Sequence, residues 1–104
     1  MKLLDIVIKE YISIVEFLLT TETLENERII IDREQFKSLL EKYAYMDFRQ
    51  KKNIYKAVNF IVHEKNNYTM PVKDVKTKKT IRKVVINYKT YEVVKRLYKE
   101  EIIV

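Results

Sequence analysis

Apolar residues recur at helical spacing through the first twenty positions, "MKLLDIVIKEYISIVEFLLT". One face of the helix that this spacing predicts carries Leu3, Leu4, Val7, Tyr11, Ile14, Val15 and Leu18. Three further apolar residues extend the surface around the cylinder: Ile8, Ile12 and Leu19. Because the apolar surface of this helix is larger than one small core can cover, we predict that these three residues contact a second copy of the chain. The C-terminal "EEIIV" is a second candidate for that contact.

A short strand and two further helices are predicted after the polar break "TTETLENE". "RIII" (residues 28–31) is β-rich, and Asp32 with Gln35 three residues later is typical of a capping box that opens the second helix. Asp47 and Gln50 repeat this pattern and predict a third helix over about 48 to 64. Inward positions are expected to be Phe36, Leu39, Leu40 and Tyr43 in the second helix, and Ile54, Ala57, Val58 and Ile61 in the third.

The pattern changes from helical to alternating after residue 65. Asn66 and Asn67 are expected to end the third helix, because Asn tolerates left-handed backbone and the chain has no Gly. Residues 68–75 and 80–88 predict the two strands of a hairpin, with "KTKK" (76–79) as a four-residue loop built on a type I turn. Thr90 predicts the start of a last helix, with three residues facing inward: Val93, Val94 and Leu97.

Length and charge favour a single domain with a polyanionic partner. The 104 residues indicate one domain, residues 1–104. Residues 1–48 hold six Lys/Arg against ten Asp/Glu, whereas residues 49–104 hold fifteen against five. A basic half is typical of nucleic-acid binding and, less often, of binding to an anionic membrane surface. An ordinary solvated surface is the alternative.

Missing residue types exclude several functional classes. Without Cys there is no disulfide scaffold or thiolate metal site, and this composition suits the cytoplasm. Without Gly there is no glycine-rich phosphate loop, nucleophile elbow or dinucleotide fingerprint. His63 has no other nitrogen or sulfur ligands for a metal, and the carboxylates of residues 22–34 are explained as solvated charge near a helix start. We therefore expect no enzyme activity, no metal and no cofactor.

Membrane association is not expected either. Four charged residues interrupt the apolar N-terminal segment and argue against a membrane span or a signal peptide: Asp5, Lys9, Glu10 and Glu16. A basic surface that binds lipid would carry aromatic residues beside its lysines, and "VKTKKT" has none.

The predicted hairpin carries the densest cluster of cations. Within residues 73–83, six Lys/Arg are opposed only by Asp74. Repulsion between like charges on neighbouring strands destabilises a hairpin by up to about 1 kcal/mol per close pair. Binding to DNA would offset this cost, because phosphates neutralise the lysines and condensed counterions are released. Lysines that merely deter edge aggregation would not need to surround the loop. We expect Arg82 to enter a groove, and we assign DNA contact to Lys73, Lys76, Thr77, Lys78, Lys79, Thr80, Arg82 and Lys83.

The third helix offers a polar face for base reading. Opposite its apolar stripe lie Arg49, Gln50, Lys52, Asn53, Lys56, Asn59 and His63. Arg, Asn and Gln can pair with base edges, and residues near the N-terminus of a recognition helix reach deepest. We therefore predict Arg49, Gln50 and Asn53 as base readers, with Lys52 and Lys56 at phosphates.

Eight tyrosines raise the alternative of stacking on single strands. Tyr43, Tyr88 and Tyr91 have core spacing, whereas Tyr55 and Tyr68 flank the basic surface and are the better candidates for stacking. Duplex recognition is preferred, because single-strand platforms usually lie on a broad sheet and none is predicted here.

The element order, α-β-α-α-β-β-α over residues 1–98, resembles the α+β winged helix-turn-helix, whose third helix reads DNA and whose hairpin is the wing. Small size, richness in Lys, Ile and Tyr, and the basic wing resemble the winged-helix accessory protein of clostridial conjugative plasmids, which marks the transfer origin for the relaxase. The resemblance implies a homodimer on duplex DNA, with the relaxase or other transfer proteins as partners. It also implies a contact centred on the wing, which ranks the wing cations above Arg49 and Asn53.

Two other functions remain open beside transfer. A transcriptional repressor of the same fold would bind DNA by the same physics. A small phage-encoded inhibitor of a nucleic-acid enzyme is the other alternative, although such inhibitors are typically acidic and half of this chain is basic.

Overall fold

The described part of this α+β chain contains four helices and a small antiparallel sheet. The computed structural model describes the backbone of residues 3–103 and the side chains of residues 3–98. The elements are α1 (Leu3–Thr21), β1 (Arg28–Ile31), α2 (Arg33–Glu41), α3 (Phe48–Ala57), β2 (Ile61–Val62), β3 (Met70–Lys73), β4 (Thr80–Asn87) and α4 (Tyr88–Ile103). None of the helices within these residues is long and apolar enough to cross a membrane.

β4 is the central strand and pairs antiparallel with the other three. β1 lies along one side of it, with Ile31 opposite Val84. β2 and β3 share the other side, where Val62 lies opposite Val85 and Met70 opposite Lys83. On β4 a single residue separates the partners of Val62 and Met70, whereas residues 63–69 separate Val62 from Met70 themselves. Residues 63–69 are therefore an insertion between β2 and β3. The predicted first hairpin strand is thus shorter than expected, and a separate short strand precedes it.

The inserted turn, residues 63–69, is closed by its own hydrogen bonds. Glu64 and Asn67 exchange backbone hydrogen bonds of 3.2 and 2.7 Å, and Lys65 between them has a positive φ of 40°. Tyr68 packs against the core, with its ring 6.1 Å from that of Phe36. The turn is therefore anchored to the core beneath α2.

α1 supplies the largest share of the core. Its buried apolar residues are Val7, Tyr11, Ile14, Val15 and Leu18, as the helical spacing predicts. The Tyr11 ring stacks on Phe60 at a centroid distance of 3.8 Å, and its hydroxyl donates to the Asn87 carbonyl. Burying each large apolar side chain contributes about 1.5–3 kcal/mol. Leu3 and Leu4 are exposed, contrary to prediction, because the buried stripe begins one turn later.

α3 ends at Ala57, about seven residues before the predicted end. The cause is Asn59, whose φ of 60° is left-handed. Its amide donates to the Lys56 carbonyl, and the Phe60 amide donates to the Tyr55 carbonyl, which is the hydrogen-bond pattern of a Schellman cap. An asparagine does end this helix, but Asn66 and Asn67 lie beyond it. Ile61 is consequently buried as part of β2, and Ala57 is exposed.

Helix starts agree with the predictions only in part. The Asp47 side chain accepts a hydrogen bond of 2.8 Å from the Gln50 amide and caps α3. Asp32 occupies the N-cap position of α2 without a side-chain bond, and the Gln35 amide donates to Glu22 instead, so the capping box is absent there. In α4 the cap is Asn87, whose side-chain oxygen accepts from the Thr90 amide at 3.3 Å.

Several residues predicted to face inward do not. α4 begins two residues before Thr90, which turns Tyr91 and Val94 toward the core and leaves Val93 and Leu97 exposed. Tyr43 follows the end of α2 and is also exposed.

Candidate nucleic-acid interface

The wing loop, residues 74–79, is held by hydrogen bonds from Asp74. The Asp74 backbone exchanges hydrogen bonds of 2.8 Å with the Lys79 carbonyl and the Lys78 amide, and its carboxylate accepts from the Lys76 amide at 2.9 Å. The amide of Lys76 lowers the pKa of the Asp74 carboxyl below its ordinary value. Lys78 has a left-handed φ of 59°, a conformation that costs a residue other than Gly roughly 1–2 kcal/mol. The turn therefore comprises residues 75–78, one position earlier than the predicted loop, residues 76–79.

The tip of the wing is fully accessible. Val75 is 89% exposed, and the exposed residues around it are Lys73, Lys76, Thr77, Lys78, Lys79 and Thr80. Among the described residues, no carboxylate lies within ion-pair distance of any of these four lysines. The structure thus brings together six of the eight predicted wing residues on one exposed surface.

Arg82 and Lys83 are tied to the rest of the chain. The Arg82 guanidinium donates to the Thr69 side chain at 2.9 Å and to the Thr69 carbonyl at 2.6 Å, and it pairs with Glu64 at 3.5 Å. Lys83 pairs with Asp32 at 3.3 Å. Arg82 therefore links the inserted turn to β4, and its entry into a DNA groove stays a prediction.

The polar face of α3 divides into accessible and occupied side chains. Arg49, Gln50 and Asn53 are exposed near its start. By contrast, the Lys52 ammonium lies 4.8 Å from the centre of the Tyr68 ring, and Lys56 donates to the Asn66 carbonyl at 3.3 Å. The predicted base readers are thus available, whereas the two predicted phosphate lysines have contacts within the chain. Asn59 and His63 lie beyond the end of α3.

An unpredicted buried ion pair lies at the corner between α2 and α3. Lys51 is 1% exposed, and its ammonium pairs with the Glu10 carboxylate of α1 at 2.7 Å. The same ammonium donates to the carbonyls of Leu40 and Tyr43, so all of its N–H donors have partners. These contacts join α1, α2 and the turn that leads to α3.

Two tyrosines complete this corner network, which comprises Glu10, Tyr45, Lys51 and Tyr55. The second Glu10 oxygen accepts from the Tyr45 hydroxyl at 2.7 Å and from the Tyr55 hydroxyl at 2.8 Å. Burial raises the pKa of both phenols above the ordinary value, and the nearby Glu10 charge raises it further. Tyr55 is therefore part of the core and is not accessible for base stacking, and Tyr68 is half-buried against the core.

The sequence contains one signal of this network. Glu10 stands beside Tyr11 on the apolar face of α1, and Lys51 lies one turn from Tyr55. A charge within an apolar stripe is unfavourable unless it is paired, so the two residues could have been proposed as partners.

The three residues predicted for dimerisation differ in accessibility. Ile8 and Ile12 are partly buried against the core of their own chain, whereas Leu19 is 38% exposed. The side chains of "EEIIV" lie outside the described residues.

In the described part of the chain, no group of three or more His, Cys, Asp or Glu side chains converges as a metal site. No protein-family model and no curated protein matches the chain.

Proposed function

We propose that this chain is a winged helix-turn-helix protein that binds duplex DNA mainly through its wing. The order α1, β1, α2, α3 and the β3–β4 hairpin supports this fold, as does the position of β4 between β1 and the strands β2 and β3. One observation carries the function: four exposed lysines surround the end of a projecting hairpin without carboxylate partners among the described residues.

The chemistry of these lysines suits a phosphate backbone. An exposed ammonium neutralises a phosphate as a point charge and releases condensed counterions, which makes binding strongly dependent on salt. Each such contact contributes about −0.9 to the slope of log K against log salt on duplex DNA. The exposed hydroxyl of Thr80 lies beside the lysines and can donate to phosphate oxygens, whereas the Thr77 hydroxyl interacts with Asp74 and with the Lys79 amide within the loop.

α3 supplies sequence preference in this proposal. Arg49 can pair with guanine, and Gln50 and Asn53 can pair with adenine, each good pair discriminating by about 1–3 kcal/mol. Because Lys52 and Lys56 already contact Tyr68 and Asn66, the helix offers fewer free cations than the wing.

A contact led by the wing is also what the resemblance to transfer-origin-binding accessory proteins implies. We therefore propose a role in plasmid transfer, with transcriptional repression as the alternative on the same fold. Neighbouring genes for a relaxase and a coupling protein would support transfer, whereas a divergent promoter would support repression.

The central experiment compares two matched double variants. Lys78→Ala/Lys79→Ala removes two wing charges, and Arg28→Ala/Lys89→Ala removes two exposed charges from β1 and α4, outside the wing. Binding to a duplex would be titrated at several salt concentrations. We expect the wing variant to lower the salt slope by about two and the control variant to leave it near the parent value. Equal slopes for both variants would contradict a contact through the wing.

Base reading has a separate test. Asn53→Ala should weaken binding to a duplex selected from random sequences while leaving binding to unrelated duplexes unchanged, because it removes a base contact and no charge. Equal losses on both duplexes would contradict base reading by α3.

We also propose that the DNA-binding form is a homodimer. Leu19 is the predicted contact that the structure leaves accessible, beside the exposed Glu92 and Arg96 of α4. Leu19→Glu should give a folded monomer by light scattering, with weakened binding to DNA containing two sites. A dimer that persists would place the contact elsewhere.

A further inference from the structure

A cavity of about 530 Å³ lies between α1 and the turn that joins α2 to α3. This volume falls within the range of about 300–1,000 Å³ typical of small-molecule sites. Residues of α1 form one wall and residues 42–45 form the other. None of its lining residues belongs to the wing or to α3, so the cavity is separate from the proposed DNA contacts.

The lining combines an apolar surface with an excess of positive charge. Ile6, Ala44 and the Tyr43 ring provide apolar area, and Ser13 adds a hydroxyl. Lys42 also lines the cavity, and among residues 3–98 no carboxylate lies within ion-pair distance of its ammonium. A ligand with an apolar body and a negative group would satisfy both features.

The one carboxylate in the lining does not oppose an anion. Glu10 is paired with Lys51 at 2.7 Å, and its other oxygen accepts from Tyr45 and Tyr55. Lys42 is therefore the charge that a bound anion faces, since the negative charge of Glu10 is already neutralised.

We propose that this cavity binds a small amphipathic anion, namely an aromatic or branched aliphatic carboxylate. The apolar body lies against Ile6, Tyr43 and Ala44, and the carboxylate faces Lys42 and Ser13. Such a ligand removes apolar surface from water and gains a charge-assisted hydrogen bond from the lysine.

Hydrogen bonds connect this cavity to the DNA-binding helix, α3. Tyr45 lines the cavity and donates to Glu10, the acid that holds Lys51 of α3. An occupant that shifts Tyr45 therefore alters the contacts that seat α3 on α1. This consequence rests on the proposed function, whereas binding of the anion does not.

The test uses the full chain without DNA. Calorimetric titration compares 2-naphthoate with 2-naphthamide, which has the same ring system without the charge. We expect the carboxylate to bind about fivefold more tightly than the amide, the ratio that corresponds to an accessible ion pair of about 1 kcal/mol. Lys42→Met should reduce the ratio to about one, and the matched variant Lys89→Met, on α4, should leave it unchanged.

A second variant locates the site. Ala44→Trp fills the cavity from the exposed turn, so it should weaken both compounds at least about fivefold while circular dichroism shows an unchanged fold. Failure of 2-naphthoate to bind, equal affinity for both compounds, or affinity unaffected by Ala44→Trp would each overturn the proposal. A dimer that Ala44→Trp converts to monomer, together with no binding of 2-naphthoate, would assign the cavity to a second copy and also overturn it.

Discussion

Lys51 and the wing lysines are the same residue type in opposite environments. The Lys51 ammonium is buried, and it is surrounded by a carboxylate and two carbonyls. The lysines of the wing loop project into solvent beside one another, with Asp74 as the only acid in the loop. Desolvation of an ammonium costs several kcal/mol and must be offset by partners, whereas an exposed ammonium has no such cost.

This difference separates cations that hold the fold from cations that need an external partner. The corner network uses every hydrogen-bonding group of Lys51, so no group remains for a ligand. The wing lysines repel one another and have no ion pairs among the described side chains. Stability should therefore depend on Lys51, and DNA affinity should depend on the wing.

Replacing Lys51 should have the largest effect on stability. Lys51→Met leaves the buried Glu10 charge without its counter-ion, so we expect the free energy of unfolding to fall by about 3–5 kcal/mol. Urea denaturation of the purified variant measures this loss.

A double variant tests the cause of that loss. Glu10→Gln/Lys51→Met removes both charges and should be more stable than Lys51→Met alone by at least about 1 kcal/mol. If the double variant is less stable than the single one, the buried charge is not the reason for the loss.

The corner network also shows which structural features can be predicted from sequence patterns and which cannot. Helical spacing correctly predicts the buried positions of α1 from Val7 to Leu18, although not the exposure of Leu3 and Leu4, and β-rich composition correctly predicts the strand Arg28–Ile31. It misses the pairing of Glu10 with Lys51, since the two residues are 41 positions apart and lie on different helices. A partner at that distance depends on tertiary packing, which local spacing does not encode.

Local spacing also fails to predict one helix end and one contact beside the wing. The clustering of lysines in the hairpin is visible in the sequence, and the structure places them on one exposed loop. The end of α3 at Ala57 is not predicted, because three asparagines, at 59, 66 and 67, can all adopt left-handed backbone and only the first of them ends the helix. The role of Arg82 was missed because its partner Thr69 belongs to a turn that the alternating pattern does not distinguish from a strand.

Alkaline pH should weaken the corner network. Tyr55 has a raised pKa in the folded chain, chiefly because of burial, whereas in the unfolded chain its pKa is about 10. Above about pH 10 the unfolded state releases a proton that the folded state retains. The stability is therefore complete below pH 10, and we expect it to fall by about 1.4 kcal/mol per pH unit above it from this residue.

Denaturation at increasing pH, with Tyr55→Phe as the test variant, measures this dependence. The variant should be less stable near neutral pH and should lose less with rising pH than the parent. Tyr43→Phe, which removes an exposed hydroxyl outside the network, should follow the parent. A parallel decline for parent and Tyr55→Phe would assign the alkaline loss to other groups.

Arg82 is partly exposed, between buried Lys51 and the exposed wing lysines, so its replacement should have an intermediate effect on stability. Arg82→Ala removes two hydrogen bonds to Thr69 and a partly exposed ion pair, so we expect a loss of about 1 kcal/mol in the free energy of unfolding. Hydrogen exchange of the amides in the inserted turn should also accelerate. Arg96→Ala, on the exposed face of α4, should remain within about 0.5 kcal/mol of the parent and leave that exchange unchanged. Slow exchange in Arg82→Ala would show that the turn does not depend on Arg82.

The smallest effect on stability is expected at the wing loop itself. Lys76→Gln/Lys79→Gln removes two exposed charges and leaves the Asp74 hydrogen bonds, which use backbone groups of these residues, in place. We expect the free energy of unfolding to stay within about 0.5 kcal/mol of the parent, with a small gain at low salt, because relief of repulsion is screened at high salt. Thermal denaturation at two salt concentrations measures this, with Lys89→Gln/Arg96→Gln as the charge-matched control. A loss above about 1 kcal/mol would mean that the wing lysines hold the fold as Lys51 does, and the distinction between the two regions would fail.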